Sequence, residues 1–132
     1  MAVVPMNVGF GEMAKHATGT GSPAAFTRIA LGEGSTTVTA GNTVVETELT
    51  DSGLARTVAD TISTVTTSET DDTLNLSHVF TATATKTVRV AGVLNQASTG
   101  DLLMAGNLIP EAPMVNGDTL TLTLKCQFRA VT

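Results

Sequence analysis

Cys126 is the one thiol of the 132-residue chain, His16 and His78 are its two imidazoles, and Glu69, Asp71 and Asp72 form its densest carboxylate group. Acid–base, nucleophilic or metal chemistry would have to be built from these. Nucleophilic hydrolysis needs a nucleophile, a base and an orienting third group, and no G-x-S-x-G elbow is present. Cys126 sits within an apolar stripe, where burial raises a thiol's pKa and blocks access, so it reads as a structural thiol. A single cysteine supports neither an intramolecular disulfide nor a multi-thiolate metal site. The histidines lie far apart, and neither belongs to an H-x-H or H-x-x-x-H pair. His78 shares a face with Leu76 and Phe80, as a core or interface histidine does; at a subunit contact it would make assembly pH-sensitive. The acidic turn lacks EF-hand spacing and reads as a solvated hairpin tip. Gly9-Phe10-Gly11, Gly19-Thr20-Gly21 and Gly32-Glu33-Gly34 lack the full G-x-G-x-x-G and the P-loop Lys. Asn75-Leu76-Ser77 has glycosylation-sequon spacing but is most simply strand sequence. No catalytic residue, metal or cofactor is expected.

Composition narrows the partners. With 7 Lys+Arg against 12 Asp+Glu and a net charge of -5, the chain has no basic field to recruit phosphate backbones or anionic lipid. Four Phe with no Trp or Tyr leave no stacking platform of the kind that single-stranded nucleic acids and sugars use. No apolar run approaches the roughly 20 residues that cross a bilayer, and the N-terminus lacks the basic region and long apolar core of a secretory signal. A soluble, unprocessed chain is expected. Hydrophobic residues at 42% against 14% charged fit one compact core.

The elements that must position these residues read as strands. Twenty-five Thr and 14 Val against three Ile, with few charges to clothe helices, favour β structure. From Thr119 to Val131, Leu120, Leu122, Leu124, Cys126, Phe128 and Ala130 fall on one face, and Thr119, Thr121, Thr123, Lys125, Gln127 and Arg129 on the other. From Thr73 to Ala84, Leu74, Leu76, His78, Phe80, Ala82 and Ala84 point inward and Thr73, Asn75, Ser77, Thr81 and Thr83 outward, with Val79 an exception. Asn116-Gly117-Asp118 and Glu69-Thr70-Asp71-Asp72 read as hairpin connections, the second between an Ala55–Thr67 run and the Thr73 strand. Thr85–Leu94 and Leu102–Ile109 flank the loop at 96–100 as an antiparallel pair, and Phe26–Leu31 and Thr36–Thr39 add one or two strands. Asn42–Leu49 suits either a short helix or a strand edge. Residues 1–25 have glycines and prolines but no persistent period, and form an N-terminal arm ahead of a domain over 26–132. Val3, Val4, Met6, Val8, Phe10 and Met13 are too apolar for a solvated tail. The arm either lies along its own sheet or clasps a neighbouring subunit. The expected fold is all-β: an antiparallel β-sandwich, jelly-roll-like or Ig-like, of about 7–9 strands with an extended N-terminal arm.

Ile29-Ala30-Leu31-Gly32-Glu33-Gly34, Val45-Glu46-Thr47-Glu48-Leu49, an Arg56-led strand, Asp72-Thr73-Leu74, Phe80-Thr81-Ala82-Thr83, Val90-Ala91-Gly92-Val93-Leu94-Asn95 and Gly117-Asp118-Thr119-Leu120-Thr121-Leu122 follow one another over residues 29–124. This order resembles small β-rich virion proteins of tailed bacteriophages, found as accessory head proteins and as tail or fibre components. The resemblance implies a structural virion part and supplies no catalytic residues.

Among virion roles the expectation is an accessory capsid protein, a cement or decoration factor whose partners are the major capsid protein and copies of itself. The chain reads as one domain, lacks a coiled-coil or triple-stranded stalk, and carries no aromatic receptor patch. A tail, baseplate or fibre-associated structural protein is the alternative, and a host-surface carbohydrate-binding module the third. Candidate partner-binding residues are Phe10 and Met13 in the arm and Arg56 and Arg89, whose guanidinium forks suit carboxylates; Arg89 is equally readable as a lone outward strand residue. Deleting residues 1–15 is expected to leave a folded β domain that no longer holds to the shell.

Overall fold

Alternating Thr and aliphatic residues form strands where one face can be buried. A computed structural model, which describes residues 3–129, has eight strands and one helix among those residues. In chain order they are β1 (Val4–Pro5), α1 (Asn7–Thr18), β2 (Arg28–Gly32), β3 (Thr57–Val58), β4 (Thr61–Val65), β5 (Thr73–Thr81), β6 (Lys86–Leu94), β7 (Leu102–Met114) and β8 (Thr119–Gln127). Two antiparallel sheets result, one ordered β1-β7-β6-β2-β3 and the other β4-β5-β8. The fold is the all-β sandwich that the alternation implies.

The main core lies between the sheets: Leu76, Phe80, Leu122 and Leu124 of the smaller sheet meet Ile29, Leu31, Val88, Val93 and Met104 of the larger. The larger sheet is buried on its other face too, where Ala30, Val90, Leu94, Leu102 and Ala105 pack with Val45 and Met6. That double burial explains why β2 and β6 read as nearly continuous apolar runs. Gly32 permits the second layer to close, since a Cβ there would run into the Glu46 carbonyl and the Val45 side chain.

Several expectations give way to non-local pairing. The arm is not extended. After β1 pairs with β7 at Val4–Ala105, residues 7–18 form a helix whose buried positions, Gly9 and Glu12, follow helical spacing. Gly9 lies so close to β7 that a Cβ would stand 2.7 Å from the Leu103 Cα, and Gly19 ends the helix in the left-handed region at φ 69°. A glycine and a carboxylate on the buried face hide the period that apolar residues would show. Val3 and Met13 join the first core, and Val4, Met6 and Val8 the second. Of the segment's apolar residues, Val3, Val4, Met6, Val8 and Met13 therefore find cover on their own sheet, and Phe10 does not.

The Ala55–Thr67 run is two strands in different sheets. The Ala59 N–H bonds Thr27 of the larger sheet and the Asp60 N–H bonds Ser77 of the smaller. The turn at 116–118 is no hairpin: it carries the chain between sheets, and its Gly117 N–H and Asp118 carbonyl pair with Ala82 at the end of β5. Thr36–Thr39 forms no strand, and residues 42–49 form neither helix nor strand beyond one bridge, Gly32 to Glu48. Thr73 is buried, its hydroxyl bonded to Asp72 and paired with Thr67, whereas Ala84 is exposed in a turn. Ala130 and Val131 lie outside the described residues.

Candidate interaction surface

Phe10 and Met13 stand on α1, Arg56 follows the 42–49 loop, and Arg89 is central in β6. Phe10 projects outward, 54% exposed. Met13 is half-buried and packs against the main core. Arg56 is not the free cation expected: its side chain is only 10% exposed, with Nε donating to Glu48 Oε2 at 2.9 Å and Nη2 to Oε1 at 2.5 Å. Its Nη1 donates to the carbonyls of Gln96 and Thr99 at 2.9 and 2.7 Å. The fork thus ties the 42–49 loop to the β6–β7 turn. Arg89 is also engaged, through Nε to Glu111 Oε2 at 2.6 Å and Nη1 to the Glu33 carbonyl at 3.1 Å. The four residues form no single site.

Apolar surface gathers elsewhere. Between α1 and the smaller sheet lies an open groove of about 370 Å³, with Phe26, Leu74 and Leu103 beneath and Met13, Ile62 and Phe128 as walls. Its polar lining includes His16 and Asp71, both exposed. Ile62 and Phe128 are 47% and 44% exposed. Phe128, expected on the inward stripe, lies one residue past the end of β8 with its N–H on the Asp72 carbonyl, and it lines the groove beside Leu74 while staying partly exposed at the open end of the sandwich. β4, which carries Ile62, is an edge strand.

A second feature is a protrusion from β7. Val88 faces Ala112 and Val90 faces Asn107, so β6 advances two residues while β7 advances five. Three residues of β7 have no place in the ladder, and Ile109 in this bulge is 86% exposed. Pro110 within a strand-like run was the available signal, since an interior proline marks a bulge or an edge.

The titratable groups are mostly structural. Asp72 accepts from the Thr67, Ser68 and Glu69 N–H groups and from Gln127 Nε2 at 2.8 Å. Led by the Gln127 bond, these hold its carboxyl well below the usual range. The acidic tip is thus a fastened turn, with Asp71 in the left-handed region at φ 57°. His78 lies edge-on to Phe80, ring centres 4.5 Å apart. Its Nδ1 is 3.0 Å from Asp60 Oδ2, in ion-pair range but out of line for a hydrogen bond. Burial raises the Cys126 thiol, which disfavours the thiolate a nucleophile needs. Under α1, Lys15 bonds Glu12 at 2.7 Å and lowers its pKa, while burial and the Glu12 carboxyl raise that of Asp101.

Among the described residues no three His, Cys, Asp or Glu converge as metal ligands, and no helix is long and apolar enough to cross a membrane. What the arrangement can do is bind: a half-open apolar groove and a braced apolar protrusion both suit side chains of another protein. Comparison with protein-family profiles, with curated proteins and with solved structures finds no match.

Proposed function

We propose that the protein is a structural virion protein of a tailed bacteriophage, an accessory capsid subunit that bridges major capsid proteins and contacts copies of itself. What supports this is the ordered series of short motifs over residues 29–124, now set in a sandwich that exposes an apolar groove and an apolar protrusion among its surface features. Bound to neighbouring subunits, such a part stabilises a shell by mass action. The observation that carries it is the groove bounded by Met13, Ile62 and Phe128, because an apolar recess with few polar groups favours protein side chains over nucleic acid or a charged lipid surface. The tail or baseplate role is the second reading, and the folding of residues 3–25 onto their own sheet favours it, since those residues form no free arm to clasp a shell.

Mass-spectrometric copy counting on purified particles tests both. Abundance comparable to that of the major capsid protein supports the head role, and a handful of copies supports the tail. A particle that lacks the chain overturns both.

A further inference from the structure

Ile109 is the most exposed large apolar residue among those described, and the structure holds it there firmly. At one foot of the bulge, the Asn107 side chain accepts from the Val38 N–H at 2.9 Å and donates to the Thr36 carbonyl at 3.0 Å. At the other, Glu111 is fixed by Arg89, which is itself bonded to the Glu33 carbonyl. An isoleucine raised on a braced support is a pre-organised anchor, with little ordering entropy left to lose on binding. The groove offers the matching recess: at about 370 Å³ it falls within the size range of pockets that enclose apolar ligands, which begins at roughly 300 Å³.

We propose that the protrusion of one copy, Ile109 and Pro110, inserts into the Met13–Ile62–Phe128 groove of the next. The charges at the two surfaces are complementary. The protrusion carries a cation, Arg89, and the groove lining an anion, Asp71. Among the described residues Arg89 Nη2 has no hydrogen-bond partner, so it is available to the Asp71 carboxylate of the next copy. One chain cannot satisfy itself, because Asn107 at the foot of the bulge already stands four residues, roughly 13 Å of strand, from Leu103 in the groove. Protrusion and groove are different surfaces, so the contact is heterologous: copies add head to tail and close into a ring or run on as a filament. This deepens the assembly reading above by naming the self-contact on which it rests. Its test uses the purified chain, so it succeeds or fails independently of where the protein sits in a particle.

Sedimentation velocity over a concentration series measures the association. The full chain is expected to show mass rising with concentration, and Ile109→Asp and Ile62→Asp each to abolish the rise. The deciding measurement is the equimolar mixture of the two variants. One retains an intact groove and the other an intact protrusion, so the mixture is expected to form a dimer and stop there. Circular dichroism establishes that each variant is folded, and Phe128→Ala replaces Ile62→Asp if the latter is not. A full chain that stays monomeric at every concentration overturns the proposal. So does association that persists in Ile109→Asp, which would assign the groove to some other segment, and so does a mixture that forms no dimer.

Discussion

Arg56 and Asp72 are the two side chains whose hydrogen bonds hold the most loop structure, and neither role was visible from residue type. Arg56 read as an exposed fork for a partner's carboxylate; the carboxylate is Glu48 of its own chain, and the remaining donors close on Gln96 and Thr99. Nothing in the local sequence brings residues 48, 56 and 96–99 together, so only the folded chain reveals the pairing. Charge-assisted bonds are worth about 1.5–3 kcal/mol, so Arg56→Ala is expected to cost roughly that in urea denaturation, and Arg56→Lys to recover only part because it loses the planar fork. Asp72 gives a pH signature. Its carboxyl is held below the ordinary value near 3.9, so its contribution is fully present above about pH 4 and is lost as pH falls through the folded pKa. Asp72→Asn is expected to lower the melting temperature at neutral pH and to flatten the fall between about pH 4 and 2. Parallel profiles for wild type and variant would mean that the carboxyl is not held this way. The partial burial of Cys126 was legible from its stripe position, and that burial raises its pKa.

At the scale of elements, strands with one solvated face were legible and those decided by distant partners were not. The inward residues of β5 and β8 stand out by alternation, and the register Leu76 to Leu124 and Phe80 to Leu120 follows from it. The turn at 116–118 has the chemistry of a hairpin, yet a turn that crosses between sheets requires the same positive φ, here 94° at Gly117. Which strand receives the chain depends on Ala82, thirty-odd residues earlier. Helix α1 was hidden for a different reason: two of its residues are glycines that look like breakers, and only one of them is required. A Cβ at Gly9 meets the Leu103 backbone, whereas at Gly11 it meets nothing within 4 Å. The two alanine substitutions therefore have opposite expected signs. Gly9→Ala forces α1 off β7 at about 1–3 kcal/mol, and Gly11→Ala stabilises by roughly 0.5–1 kcal/mol through helix propensity. Thermal denaturation of both variants checks the packing of α1; equal effects would mean that the helix does not lie against β7.

For the whole molecule, the N-terminal segment decides how docking to a larger particle can be tested. From sequence, removing residues 1–15 promised a folded domain with its attachment lost. The packing predicts otherwise. Met6 is fully buried, Val4 and Val8 share its core, and β1 and α1 cover the β7 edge at residues 102–105. Losing one buried Met costs about 2–5 kcal/mol, and domains of this size hold roughly 5–15 kcal/mol in all. Removing Met6 together with its neighbours therefore takes away a large part of the total and uncovers Leu102 and Leu103. The truncated chain is expected to lose cooperative unfolding and amide dispersion in NMR spectra, so its failure to bind would say nothing about docking. Phe10 supplies the clean test. It projects from the outer face of α1, and surface substitutions of that kind stay within about 0.5 kcal/mol. Phe10→Ser is thus expected to melt like the wild type. If α1 faces the partner, the same variant should be under-represented on particles when mixed in competition with the wild-type chain. Equal occupancy by the two would move the docking face away from the outer face of α1 that bears Phe10 and leave the groove on its other side and the Ile109 protrusion as the surfaces through which the molecule assembles.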